Sequence, residues 1–323
     1  MKAMILAAGF GTRLWPLTED RTKPAIPFLN KPLVAYSVEY VVRYGVRDVV
    51  VNLHHRPESV RDALGDGAAF GARISYSLEE EILGTGGALD KVRDQLDDDE
   101  FVVVNGKIVT DIDLGAAIEA HRARGAIATL VLMENARRER FSTVDRDEEG
   151  RVRGFGGYPD PADSGDPLPF MFTGIQVCSP RLFEYIPRGR FSHTTTDAYP
   201  AAIAAGELVL GHVAHGTWRE LSTLERYLSE SIEAAHALGV PNVVGEGSRV
   251  APDAVVEDSV LWKGVQVGPG AVVRRAILGD GVRVAPGEQL EDAVVVRAEI
   301  VRDFERGRRS GANLVAPVGP VLD

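Results

Sequence analysis

From residue 243 onward, apolar residues return every six positions, in short pulses separated by Gly, Pro and Asp. Val244, Val250 and Val256 make one set, Leu261, Val267 and Val273 the next, and Leu278, Val284 and Leu290 a third. Each set lies 17 residues beyond the one before it. A helix repeats every 3.6 residues and a strand every 2, so neither alone buries such a pattern. A flat-sided coil does: each hexapeptide forms one side, three sides close a turn, and one side is a residue short. Successive turns then stack their apolar residues into a continuous core. The spacing predicts a left-handed parallel β-helix over residues 241–300. Its core is small, so it is expected to lean on the rest of the chain or on a second copy, giving a homo-oligomer through or beside the β-helix. Residues 301–323, arginine-rich between Arg302 and Arg309, read as a solvated or partner-contacting tail.

Residues 1–240 have another rhythm. Short apolar runs at 3–7, 48–53, 73–78, 101–104 and 126–133 alternate with helical patterns at 32–44, 57–64 and 86–96, and with one that starts after the N-cap candidate Asp113. Strands alternating with helices mean βαβ units, hence an α/β, Rossmann-like, mostly parallel sheet with helices on both faces. The middle is less regular, with strands expected at 170–177 and 207–213, helices at 197–205 and 223–238, and a Gly-, Pro- and Asp-rich loop at 156–169. The stretch before Pro241 is the expected domain boundary.

Composition sets limits on partners. The chain has 323 residues, 45% hydrophobic and 26% charged, and a formal net charge of −11. That balance argues against a general nucleic-acid or anionic-membrane binder, so an anionic substrate must be drawn in by local cations. The one cysteine, Cys178, sits in an apolar run and permits no disulfide framework. No run approaches the ~18 apolar residues of a membrane span. A cytoplasmic protein is expected.

The local cations stand near the amino terminus. The first apolar run breaks into Ala7-Ala8-Gly9-Phe10-Gly11-Thr12-Arg13, and Lys23 follows between Thr22 and Pro24. Glycines let backbone N–H groups approach a ligand closely and form an anion-binding nest. Arg13 and Lys23 add fixed positive charge, which suits a triphosphate; the competing reading is a glycine turn with two surface cations. The Walker pattern is absent, and so is the third glycine of the dinucleotide fingerprint. Taken whole, L-A-A-G-x-G-T-R-L-x-P-L-T followed by T-K-P-A-I-P resembles the signature of sugar-phosphate nucleotidyltransferases, the family of mannose-1-phosphate guanylyltransferases.

The resemblance implies that Ala7, Ala8, Gly9, Gly11, Thr12 and Arg13 bind a nucleotide, with Arg13 on the β- and γ-phosphates and Lys23 on the α-phosphate and the sugar phosphate. Glu79-Glu80-Glu81-Ile82-Leu83-Gly84-Thr85-Gly86-Gly87 resembles the family's base-facing segment E-x-E-P-L-G-T-A-G. It implies base contacts from Glu79, Gly84 and Thr85. A carboxylate can accept both N–H donors of a guanine edge, so GTP is favoured over UTP or dTTP. The family's strand ending N-G-D is here Asn105-Gly106-Lys107, and its W-x-D-I-G-T is Trp218-Arg219-Glu220-Leu221-Ser222-Thr223. Mg²⁺ is the expected cofactor at an atypical site. Glu220 is the candidate ligand, Asp111 a replacement carboxylate whose plainer role is loop chemistry, and Lys107 a cation that takes over part of the metal's charge. Phe155-Gly156-Gly157-Tyr158-Pro159 replaces the F-x-E-K-P of many relatives. Phe172-Thr173-Gly174-Ile175 matches the strand beside the sugar, which makes Asn105, Thr173 and Gly174 the sugar-binding candidates.

The expected reaction joins a nucleoside monophosphate from an NTP to a sugar-1-phosphate, mannose- or heptose-1-phosphate favoured, and releases pyrophosphate. Arg13, Lys23 and Lys107 would carry the catalysis. The alternative is a regulatory subunit that binds nucleotide sugars with little or no turnover, because of Lys107 and Glu220.

Overall fold

The computed structural model describes residues 1–136, 143–155, 169–304 and 306–319. The loop expected at 156–169 falls, but for its last residue, outside the described residues. The chain divides into two compact units, Met1–Gly9 with Val34–Trp218, and Phe10–Leu33 with Arg219–Asp323. The division differs from a single cut before Pro241.

The first unit is built on a sheet of nine strands among the described residues. They are β1 Lys2–Leu6, β2 Asp48–Leu53, β3 Arg73–Leu78, β4 Phe101–Asn105, β5 Ala128–Glu134, β6 Thr143–Arg146, β7 Val152–Phe155, β8 Phe170–Cys178 and β9 Val209–Val213. The order is β7-β6-β8-β4-β1-β2-β3, with β5 also paired to β8 and β9 to β5. Strands β3, β2, β1 and β4 are parallel. Beyond β4 the sheet is mixed, because β8 runs antiparallel to β4, β5 and β6. The apolar runs of β1, β2 and β4 match strands covered on both faces, and Ala3, Met4, Ile5 and residues 101–104 are fully buried. The helix Leu33–Arg43 explains its own packing: Val34, Val38 and Val41 recur at helical spacing and are fully buried. Asp113 caps the helix Leu114–Arg124, its Oδ1 accepting from the Gly115 and Ala116 N–H groups. Cys178 is fully buried, and burial pushes its thiol up to about 12.

Strand order fixes where a ligand belongs. From β1 the chain moves to β2 and β3 on one side, then returns to place β4 on the other side of β1. Right-handed crossovers running in opposite directions put helices on both faces. In such sheets the crevice opens beyond the carboxyl ends of the strands where the order reverses. Those ends are Ala7 after β1, and Asn105 with Gly106 at β4.

The second unit contains the β-helix. Val244, Leu261 and Leu278 pair in register along one parallel ladder, Val250, Val267 and Val284 along the second, and Val256, Val273 and Leu290 along the third. All nine predicted residues thus occupy the predicted stacking positions. The first turn has no turn beneath it, so Val244 and Val250 stay 46% and 40% exposed while Leu261 and Leu278 are fully buried.

One expectation changes here. Residues 301–323 are not simply a tail: Asn313–Pro317 pairs antiparallel with Ala293–Arg297 and with Arg308–Ser310. This return hairpin buries Leu314, Val315 and Ala316 and covers an edge that would otherwise invite pairing. The helix Leu224–Ala237 and residues 10–33 also pack with the β-helix. Tyr227 Oη donates to the Pro27 carbonyl at 2.5 Å and accepts from Trp262 Nε1 at 2.8 Å, and Asn30 Nδ2 donates to the Val244 carbonyl at 3.0 Å.

Candidate functional site

In the first unit the carboxyl ends of β1, β2 and β3 are laced together by side chains. The Ala7 N–H donates to Asn52 Oδ1 at 2.8 Å, and Asn52 Nδ2 donates to Glu79 Oε1 at 2.7 Å. Glu79 Oε2 accepts the Leu83 N–H at 3.0 Å, while the Glu79 carbonyl meets His54 Nδ1 at 2.9 Å. Glu79 is 2% exposed. Both its oxygens therefore accept from protein groups, which braces the loop beneath it. Glu80 and Glu81 beside it are exposed.

Gly84 and Thr85 open the helix Gly84–Lys91, and their neighbours come from residues 192–194. The Gly86 N–H donates to the Ser192 carbonyl at 2.8 Å, and Ser192 N–H returns a bond to the Leu83 carbonyl at 3.0 Å. Thr85 Oγ1 accepts from the Thr194 N–H at 2.9 Å, and its own N–H reaches His193 Nδ1 at 3.4 Å. Asp197 Oδ2 in turn accepts the His193 N–H at 2.8 Å. Gly84 has φ +72°, and a Cβ there would lie 2.4 Å from the Ser192 carbonyl oxygen. Its glycine is a requirement of this packing.

At the end of β4, Asn105 is half-buried and its carbonyl accepts from Ser37 Oγ at 3.1 Å. The Gly106 N–H donates to the Leu6 carbonyl at 2.9 Å, which ties β4 to β1 where the crevice opens. Gly174, at φ +82° in the irregular part of β8, lies against the Asn105 side chain; a Cβ would come within 2.1 Å of its Nδ2. Asn105 and Gly174 are thus brought together. The Thr173 hydroxyl donates to the Val131 carbonyl at 2.8 Å, and the residue is 1% exposed. Its carbonyl accepts from Trp218 Nε1 at 2.9 Å. Asp111 Oδ1 accepts the Thr217 N–H at 2.6 Å, which is the loop chemistry considered as its plainer role. Lys107 is half-buried just past Asn105.

In the second unit, residues 11–23 form the cationic turn. Gly11 is left-handed at φ +71°, and a Cβ would lie 2.8 Å from Lys23 Cβ, so only glycine lets the two segments touch. Thr12 and Arg13 are exposed on the short 3₁₀ turn Thr12–Leu14. Lys23 begins a second turn, Lys23–Ala25, and is 7% exposed. Its Nζ lies 3.3 Å from Glu220 Oε1, and Glu220 is 8% exposed. The candidate phosphate-binding cation and the candidate metal ligand are therefore partners in one buried ion pair.

This pairing bears on Mg²⁺. Among the described residues no three His, Cys, Asp or Glu side chains gather where they could hold a metal ion. Glu220 Oε1 pairs with Lys23, Asp111 Oδ1 accepts from Thr217, and Lys107 is itself a cation. Among the described residues, then, no cluster of three protein ligands stands ready for a metal ion, and the Mg²⁺ that the resemblance implies would depend on substrate phosphates for most of its ligands.

The nucleotidyl transferase family model matches residues 2–236, and a hexapeptide model of the GlmU-like C-terminal type matches residues 228–301. This chain belongs to the nucleotidyl transferase family. It is 31% identical over 265 residues to the UTP–glucose-1-phosphate uridylyltransferase of Synechocystis, covering 78% of this chain and 68% of that protein. It is 29% identical over 265 residues to the mannose-1-phosphate guanylyltransferase of Mycobacterium tuberculosis, covering 79% and 72%. A solved Bacillus anthracis chain described as a glucose-1-phosphate thymidylyltransferase shares the fold at TM-score 0.63 and 23% identity, over 74% of this chain and 94% of that one. Among the described residues no helix is long and apolar enough to cross a membrane.

Sequence reasoning singled out the cationic turn and Asn105 but not Asn52 or Ser192. Asn52 sits inside an apolar run, where a lone polar residue was a usable signal: a buried amide must find partners. Ser192 lies in a loop distant in sequence and carried none.

Proposed function

We propose that this protein transfers a nucleoside monophosphate from a nucleoside triphosphate, GTP favoured, to a sugar-1-phosphate, mannose- or heptose-1-phosphate favoured. A phosphate oxygen of the sugar phosphate attacks the α-phosphorus, and a new P–O bond forms. The bond from that phosphorus to the bridging oxygen breaks, and pyrophosphate leaves with the electron pair. Such transfers need positioning and charge neutralisation more than a protein nucleophile.

The observation that carries this reading is the buried Lys23 ammonium on the turn that follows β1. A carboxylate oxygen of Glu220 lies 3.3 Å from its Nζ, and a phosphate is a chemically equivalent anion for that ammonium. Exposed Arg13 offers its planar fork to the terminal phosphates. A role for Lys107, half-buried just past β4, is part of the same reading. The preference for GTP and mannose-1-phosphate leans on the similarity to guanylyltransferases. Mg²⁺ is placed with the triphosphate substrate, and the reaction in the cytoplasm, where nucleoside triphosphates are abundant.

The test is a screen of GTP, UTP, dTTP, ATP and CTP against hexose-, heptose- and N-acetylmuramate-1-phosphates for pyrophosphate release, with Mg²⁺ and with EDTA. Release with GTP and mannose- or heptose-1-phosphate is expected. Binding of GTP or a GDP-sugar without release from any pair overturns the transferase reading. In the same assay Lys107→Asp is expected to raise the dependence on Mg²⁺, because a cation gives way to a carboxylate ligand. Unchanged Mg²⁺ dependence would remove Lys107 from the phosphate environment.

A further inference from the structure

The cationic turn is gripped from the β-helix on both sides of Lys23. Before it, Arg21 is chelated by Asp20, Nε to Oδ1 at 2.8 Å and Nη2 to Oδ2 at 3.0 Å. The same Nη2 donates to Asp280 Oδ2 at 2.6 Å, and the guanidinium lies 5.0 Å above the Trp262 ring. After it, the Pro27 carbonyl is held by Tyr227, which is held by Trp262. Asp280 and Trp262 both belong to the β-helix, and Asp280 Oδ1 also accepts the Lys263 N–H at 3.0 Å within the coil. Burial lowers the Arg21 pKa, but the Asp20 and Asp280 carboxylates outweigh it and leave the group above its ordinary value.

We infer that Asp280 is a positioning residue for the phosphate turn: through Arg21 it fixes the backbone from which Lys23 projects. The inference rests on the transferase reading for what Lys23 does, and adds that the β-helix sets where it does it. The physical need is clear. A lysine ammonium is a point charge on a flexible four-carbon stem, so it neutralises a phosphate well only if its base is held. Arg21, two residues earlier, is the anchor. Its fork, fixed by two carboxylates and one ring face, resists rotation in a way one surface pair would not. Nothing about the coil's own stacking requires Asp280 to face residue 21; an acceptor for the Lys263 N–H would serve the coil alone.

The experiment compares full-length protein with Asp280→Asn, Asp280→Glu, Lys23→Ala and the double variant Lys23→Ala/Asp280→Asn. Asn keeps the Oδ1 acceptor for Lys263 and removes the charge, so the coil is left intact. Two readouts are used: affinity for GTP, UTP and dTTP by calorimetry, and steady-state pyrophosphate release. Asp280→Asn is expected to weaken triphosphate binding and lower kcat by about tenfold, with KM for the sugar-1-phosphate changed least. Asp280→Glu is expected to restore part of the loss. In the Lys23→Ala background Asp280→Asn should change little more, because it acts through Lys23. The same factor in both backgrounds, or wild-type triphosphate affinity in Asp280→Asn, overturns the inference. Wild-type protein that binds a triphosphate without releasing pyrophosphate defeats the transferase reading, while the affinities still decide the role of Asp280. Binding of none of the three triphosphates overturns both.

Discussion

Lys23→Ala is expected to lower pyrophosphate release by about a hundred- to a thousandfold, the usual range for losing a charge that stabilises a reacting phosphoryl or acyl centre. It should also lower thermal stability. The Lys23 and Glu220 side chains are only 8% and 7% exposed, and removing one member of a buried pair strips the other of its counter-charge. The cost of such a break is about 3–5 kcal/mol. The two effects are separable. Lys23→Met with Glu220→Gln replaces the ion pair by a neutral pair of similar volume, and is expected to recover most of the stability and none of the activity. Thermal unfolding and initial rates on the same three proteins decide the matter. If the double variant regains turnover, Lys23 serves only to neutralise Glu220, and the phosphate role falls.

The same pair shows what could be read from the sequence and what could not. Periodicity made the β-helix legible residue by residue, because nine stacked positions obey one spacing and leave no other way to bury them. The apolar runs of β1, β2 and β4 were legible for the same reason. Element types followed, yet the direction of β8 did not, since an apolar run says nothing about which way a strand points. Residue type alone suggests chemistry for single side chains, as with the cations Arg13 and Lys23. Chemistry was not legible where two separated residues had to meet. Lys23 and Glu220 were read as serving phosphate and metal separately, whereas proximity makes them partners. Arg21 and Asp280, 259 residues apart, meet in the fold without any local pattern to announce it. Glu79 is a further case: its type suits a guanine edge, but nothing in the sequence announces that Asn52 and the Leu83 N–H donate to its two oxygens.

Glycines separate fold from ligand most sharply. Gly9 and Gly84 were both read as letting backbone approach a nucleotide. A Cβ on Gly9 meets nothing within 4 Å, whereas one on Gly84 lies 2.4 Å from the Ser192 carbonyl oxygen at a backbone φ of +72°. Gly84→Ala must therefore either strain a left-handed residue or push Ser192 away, breaking its carbonyl bonds to Gly86 and Gly87. Strain and overpacking together are expected to cost about 2–4 kcal/mol. The expected result is a clear fall in the melting temperature with Gly84→Ala, accompanied by weaker nucleotide binding as the Thr85 turn loosens. Gly9→Ala should leave the melting temperature within about 0.5 kcal/mol of wild type in stability terms. Any loss of triphosphate affinity it causes then reports on the ligand alone. Normal GTP, UTP and dTTP affinities in Gly9→Ala would mean that the phosphates do not approach that backbone. An unchanged melting temperature in Gly84→Ala would mean that the Ser192 loop yields, and that the glycine there answers to the base after all.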